Sequence, residues 1–131
     1  MLKKFLPILF FLIVLISCSF NSDSAKIKKV IYKNVDAMNK KDIETYMETI
    51  DPKDTAEYNS TKNIVGFIFK NMDVEVKIDT FSIISLADDT ARVLVRMYFT
   101  VKGEEEHKSN MEHFLIKREG KWYINNSITL Q

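Results

Sequence analysis

The chain has 131 residues, with 19 basic and 18 acidic side chains, a formal net charge of +1, three glycines, two histidines and one cysteine. That length suits one hydrophobic core and is too short for two. A near-neutral balance lacks the basic footprint of nucleic-acid binding, and one cysteine excludes an internal disulfide framework.

Lys3 and Lys4 precede an apolar run of 12 residues, Phe5 to Ile16, and Leu15-Ile16-Ser17 leads into Cys18. A positive start, a short apolar middle and a small residue at the edge is the order of a secretory signal. A spanning helix needs about 20 apolar residues. The cysteine directly after the small residue resembles the lipobox of bacterial lipoproteins. The resemblance implies that the Cys18 thiol receives a diacylglyceryl group, that residues 1–17 are removed, and that Cys18 becomes the N-terminus. The protein would then be held in a bacterial membrane by lipid, with its domain on the extracytoplasmic side. Two plainer readings stay open: a lone cysteine as a small buried hydrophobe, or a leftover behind an ordinary signal with the protein released. One acyl chain holds marginally while two or three anchor stably, each buried methylene contributing about 0.8 kcal/mol.

Removing 17 of the 131 residues leaves 114, and losing Lys3 and Lys4 leaves 17 basic against 18 acidic side chains, a net charge near −1. The lipid would consume the only thiol, so the fold must stand on burial alone. Residues 18–23 read as a tether of about 20 Å at most, and 24–131 as the domain.

Helices come first. Ile27, Val30, Ile31, Asn34 and Met38 recur at spacings of three and four, with lysines on the other faces and Ser24 as N-cap. Asp42 opens a short second helix carrying Ile43, Tyr46, Met47 and Ile50, which Asp51-Pro52 stops. Asp54 and Glu57 form a capping box for a turn or short helix. Ile64, Phe67, Ile68 and Met72 make a further apolar helical stripe. After Asp73 the period changes to two. Val74, Val76 and Ile78 alternate with charged residues, and the phase slips near Thr80, which predicts a bulge or bend. Ala91, Val93, Val95, Met97, Phe99 and Val101 form the clearest strand. A third runs through Met111, His113 and Leu115, and a fourth through Trp122, Ile124, Asn126, Ile128 and Leu130. This order predicts an α+β fold, N-terminal helices packed on a curved four-stranded antiparallel sheet.

Amphipathic helices containing Lys40-Lys41-Asp42-Ile43, a third helix, long bent strands and the closing Lys117-Arg118-Glu119-Gly120-Lys121-Trp122-Tyr123-Ile124 resemble the nuclear transport factor 2-like superfamily from about Ala25 onward. The resemblance implies a cone whose sheet wraps round the helices and often leaves a pocket. It supplies no activity, since isomerases, dehydratases, assembly domains and binders share the fold. A cystatin-like fold with one helix is the alternative, disfavoured by the stripe at Ile64 to Met72.

Chemistry is sparse. His107 and His113 sit six residues apart, about 20 Å along a strand, too far to share a metal ion. Glu104-Glu105-Glu106 and Asp88-Asp89 read as solvated turns rather than cation sites. No Gly-x-Ser-x-Gly elbow or Gly-rich phosphate loop is present. The resemblance would favour acid–base work by an Asp or Asp–His pair with tyrosines, for which Asp36, Tyr32, Tyr46, Tyr98 and His113 are the available types. His113 reads first as a core residue, Trp122 and Tyr123 as strand packing. Arg92, Arg96 and Tyr98 share one sheet face, as an anion patch or as arginines paired with Glu112 or Glu75. No catalytic residue, metal or cofactor is expected, and the ligand-binding residues are left unassigned. The expected role is a non-enzymatic binding or accessory domain that engages an envelope protein or a small molecule. The alternatives are an isomerase- or dehydratase-type pocket enzyme, and a structural domain forming a homodimer through its sheet.

Overall fold

The computed structural model describes residues 22–131. Residues 1–17, read as a signal, and Cys18 lie outside them. Within the described residues α1 runs over 22–40, followed by α2 (Ile43–Glu48), α3 (Thr55–Asn71), β1 (Val74–Leu86), β2 (Thr90–Val101), β3 (His107–Arg118) and β4 (Lys121–Leu130). The four strands form one antiparallel meander in the order β1-β2-β3-β4. The expected α+β architecture of helices on a four-stranded sheet is the one observed.

Burial explains the layering. Ile27, Ile31 and Val35, one face of α1, pack against inward residues of the sheet: Val76, Val93, Val95, Met97, Leu115, Trp122 and Ile124. The i, i+4 spacing lays these side chains on one stripe. Two staples fix α1 to the sheet. Asp23 accepts from Trp122 Nε1 (3.1 Å) and Lys117 Nζ (3.1 Å). At the other end, the Asn39 amide both donates to the Val76 carbonyl (2.8 Å) and accepts from its N–H (2.7 Å), so a side chain takes the place of a neighbouring strand at the edge of β1.

Asp42 and Asp54 cap α2 and α3, accepting from the N–H of Thr45 and Glu57 (both 3.1 Å). Register shifts in β1 fall at Ile78/Thr80 and Ile83/Ser85, and the first is the bend that the phase slip predicted. Gly120 closes the β3–β4 turn at φ +77°, a region where a side chain is strained.

Four expectations need correction. Ser24 is no N-cap, because residues 22 and 23 are already helical and Asp23 is engaged by Trp122. The domain therefore starts no later than Ser22, inside the stretch read as tether. The capping box at Asp54 opens α3 itself, so the two helical segments expected there are one. On α3 the stripe is rotated: Val65 is buried, with Tyr58, Thr61, Ile68 and Phe69 partly so, whereas Ile64 and Phe67 are 59% and 66% exposed. In β4 the alternation breaks at Asn125, since Leu115 pairs with Ile124 but Phe114 with Asn126. The extra residue turns Ser127 inward, opposite His113, and leaves Ile128 and Leu130 on the outer face.

Candidate functional site

The helices do not fill the concave face of the sheet completely. Between α1, α2 and the middle of the sheet lies a cavity of about 140 Å³, walled by Met38, Met97, Phe99 and Met111, with Asn34, Tyr46, His113 and Ser127 as its polar groups. Beside it, between the first half of α3 and the outer edge of β4, runs a groove of about 210 Å³ edged by Asp54, Glu57, Tyr58, Asn125 and Asn126. Tyr46, Ile50, Ile124 and Ser127 line both. A roomier depression of about 620 Å³, around Asp73, Glu75 and Lys102, lies at the far end of α1 and is open surface between charged side chains.

Each polar group of the cavity has a local cause. The β4 bulge brings Ser127 opposite His113, and Ser127 Oγ shares a 2.7 Å hydrogen bond with His113 Nδ1. His113 is only 6% exposed, and burial alone pushes its pKa down to about 4, so it is neutral at pH 7. Asn34 donates to Thr49 Oγ1 (2.8 Å), which donates to the Tyr46 carbonyl (2.6 Å), fastening α2 to α1. Burial raises the Tyr46 phenol above its usual range, partly offset by Asn34, and its ring meets Phe69 of α3 edge-on at 5.9 Å.

At the head of the groove Asp51 is clamped. Arg118 donates to both of its oxygens (2.9 and 3.0 Å), Asn125 donates at 2.9 Å and the Lys53 N–H at 3.2 Å. The guanidinium beside it is the first cause that lowers its pKa to about 2, against the opposing effect of burial. A carboxylate held this way is a structural strut and a poor base.

The family model for the C-terminal domain of the anti-sigma-I factor RsgI9 matches residues 29–131. The chain belongs to that family. The match spans α1 from its second turn through β4, so cavity and groove lie wholly within this RsgI9 C-terminal-type domain. No curated protein matches it. Solved structures share the fold. An NTF-2-like protein of unknown function from Shewanella oneidensis aligns with TM-score 0.72 at 15% identity, covering 82% of this chain and 98% of that one. Proteins with a cystatin-like fold from Nostoc punctiforme (TM-score 0.68, 12% identity) and Caulobacter vibrioides (0.68, 14%) each cover 82% of this chain and 89% of their own. At these identities the likeness concerns the fold.

Of the five residue types that acid–base chemistry would draw on, the RsgI9-type fold brings only Tyr46 and His113 together. Asp36 lies on the solvent side of α1, paired with Lys40 (2.9 Å). Tyr32 is exposed, edge-on to Phe81 at 6.4 Å. Tyr98 sits on the outer sheet face, where Arg92 donates from Nε to a buried Glu112 (2.7 Å) and Arg96 pairs with Asp79 (3.8 Å) rather than Glu75. Exposed His107 opens β3, well apart from His113. Among the described residues no group of three or more His, Cys, Asp or Glu could hold a metal ion, and no helix is long and apolar enough to cross a membrane.

Sequence reasoning missed Ser127, the Asn34–Thr49 link and the Asp51 clamp. Asp51 carries a prediction. Asp51→Ala leaves Arg118 and Asn125 without their acceptor and should cost about 2–3 kcal/mol at pH 7, read from the urea midpoint. Because the folded pKa is lowered to about 2, Asp51 contributes its stability above about pH 4 and loses it as pH falls toward 2. The Ala variant should therefore unfold less steeply with acid in that window; an unchanged acid profile would show the clamp to be energetically idle.

Proposed function

We propose that the chain is a lipid-anchored bacterial lipoprotein whose domain is a non-enzymatic binding module on the extracytoplasmic side of the membrane. The observation that carries the binding reading is the cavity at His113, apolar-walled and lacking a carboxylate. Raising a carboxyl pKa into the range of a general base requires an unpaired acid in an apolar site. Here Asp51 is held in the opposite direction and Asp36 faces solvent. An apolar pocket with a few converging polar groups suits recognition of a small molecule or a side chain of an envelope protein. Kinship with the C-terminal domain of an anti-sigma-I factor, a portion of a regulator, supports recognition over turnover.

Anchoring rests on the run from Lys3 to Cys18. Cys18→Ala should abolish labelling by an alkyne-tagged fatty acid and move the protein from the membrane to the soluble fraction. A variant still labelled and still membrane-bound would end that reading. Binding is tested by ligand-observed NMR of the full chain against small apolar fragments. Hits should vanish for Met111→Trp, whose larger ring fills the cavity; hits that persist there place the binding elsewhere.

A further inference from the structure

We infer that the groove between α3 and the outer edge of β4 receives an extended peptide from a partner protein, added to the sheet as a fifth strand. This rests on the binding reading above and names the partner's chemistry. β4 ends the sheet, and among the described residues its outer edge is paired only at Ile124. There the chain's own Thr49–Asp51 segment pairs with it: the Ile124 N–H donates to the Thr49 carbonyl (2.8 Å), the Asp51 N–H to the Ile124 carbonyl (2.9 Å), and Ile50 forms a parallel bridge with Ile124. Pro52 then has no N–H to continue the ladder and the chain turns away to α3. A strand addition is thus begun by the protein and left unfinished at Asn125.

The unfinished part carries strand-pairing groups. Ser127 N–H is met by the neighbouring Asn126 Oδ1 at 2.8 Å instead of by a strand. A side-chain cap from the adjacent residue is readily exchanged for a peptide carbonyl. By the two-residue alternation, Thr129 offers its backbone on the same side. Residues 125–131 are exposed and contain no charged side chain and no proline, the devices that usually blunt an edge. The opposite edge differs: Asn39 occupies β1 at Val76, two register shifts bend it, and Glu75, Lys77 and Asp79 lie along it.

The side chains to be recognised follow from the lining. A strand that continues the Thr49–Asp51 pairing past Asn125 lies beside Ser127, which faces inward and shares the wall of the 140 Å³ cavity, so alternate residues of the peptide point there. One apolar side chain of Val, Leu or Ile size fits. Across the groove stand Asp54 and Glu57, which form no ion pair among the described residues, whereas Asp51 is neutralised by Arg118. A Lys or Arg flanking the apolar residue meets them.

The test is selection of a random heptapeptide display library on the purified full chain in detergent, followed by fluorescence-polarisation affinities of the enriched peptides. These should share an apolar residue next to, or two positions from, a Lys or Arg. Glu57→Lys should weaken them at least about tenfold, and N-methylation of one alternate set of peptide nitrogens should do the same while the other set stays within about twofold. No enrichment overturns the inference. So does affinity indifferent to N-methylation at every position, or NMR shifts confined to Ile64 and Phe67 of α3. Small fragments still lost on Met111→Trp would then leave the binding module standing without its peptide partner.

Discussion

Acidification from pH 7 to pH 4 should lower the stability of the domain by about 3 kcal/mol through His113 alone. The imidazole titrates near 6.5 in the unfolded chain and at about 4 when folded, because burial disfavours its charged form. Between those values the unfolded chain binds the proton and the native state does not. The stability is therefore complete above pH 6.5 and declines as pH falls through the window. Urea midpoints at pH 7, 5.5 and 4 measure it. His113→Gln, which keeps a polar partner for Ser127, should flatten the profile in that range, while the Asp51 contribution below pH 4 persists. A parallel decline in wild type and variant would refute the assignment. The cavity would respond in the same range: a protonated His113 is poorly tolerated against its methionine and phenylalanine walls, so ligands held by those walls should bind more weakly toward pH 4.

Trp122→Ala should cost about 3–5 kcal/mol, a large share of the 5–15 kcal/mol that holds a domain of this size. The indole is among the largest fully buried side chains, packed into the α1–sheet core, and its N–H donates to Asp23. Trp122→Phe separates the two contributions. It retains most of the apolar volume and removes the donor, leaving Asp23 with Lys117 alone, and should cost about 1–2 kcal/mol. The two variants differ in where protection is lost. With Phe, amide exchange should accelerate chiefly in the first turn of α1; with Ala, throughout the core. Equal exchange in both would mean that the Asp23 contact contributes nothing.

Periodicity made the sheet legible because each β2 residue from Ala91 to Met97 faces one environment, core or outside, and hydrophobicity records that directly. Caps at Asp42 and Asp54 were legible for a similar reason: the carboxylate bonds an N–H three residues on, so the signal is local. Two of the misreadings, on α3 and β4, share one cause, a single residue inserted or a helix face rotated by tertiary packing. Asn125 shifts the phase of β4, and on α3 contact of Phe69 with Tyr46 selects the Tyr58–Val65–Phe69 side over the more apolar Ile64–Phe67 side. The candidate site suffered most. Ser127 meets His113 only through that bulge, and Asp51 meets Arg118 across 67 positions of sequence. No local spacing encodes either pair. Its place between Met111 and Leu115 marks His113 as a core histidine, and it is both buried and part of a cavity wall.

The clasp of Asp23 onto Lys117 and Trp122 has a mechanical side under the lipid-anchored reading. Only four peptide steps, about 14 Å at full stretch, separate Cys18 from Ser22. A link that short would pass displacement of such an anchor to the start of α1 and, through Asp23, to the β3–β4 hairpin. That hairpin also carries Arg118, the clamp at the head of the peptide groove. Tension at the membrane and occupancy of the groove would thus load the same turn of chain from opposite ends.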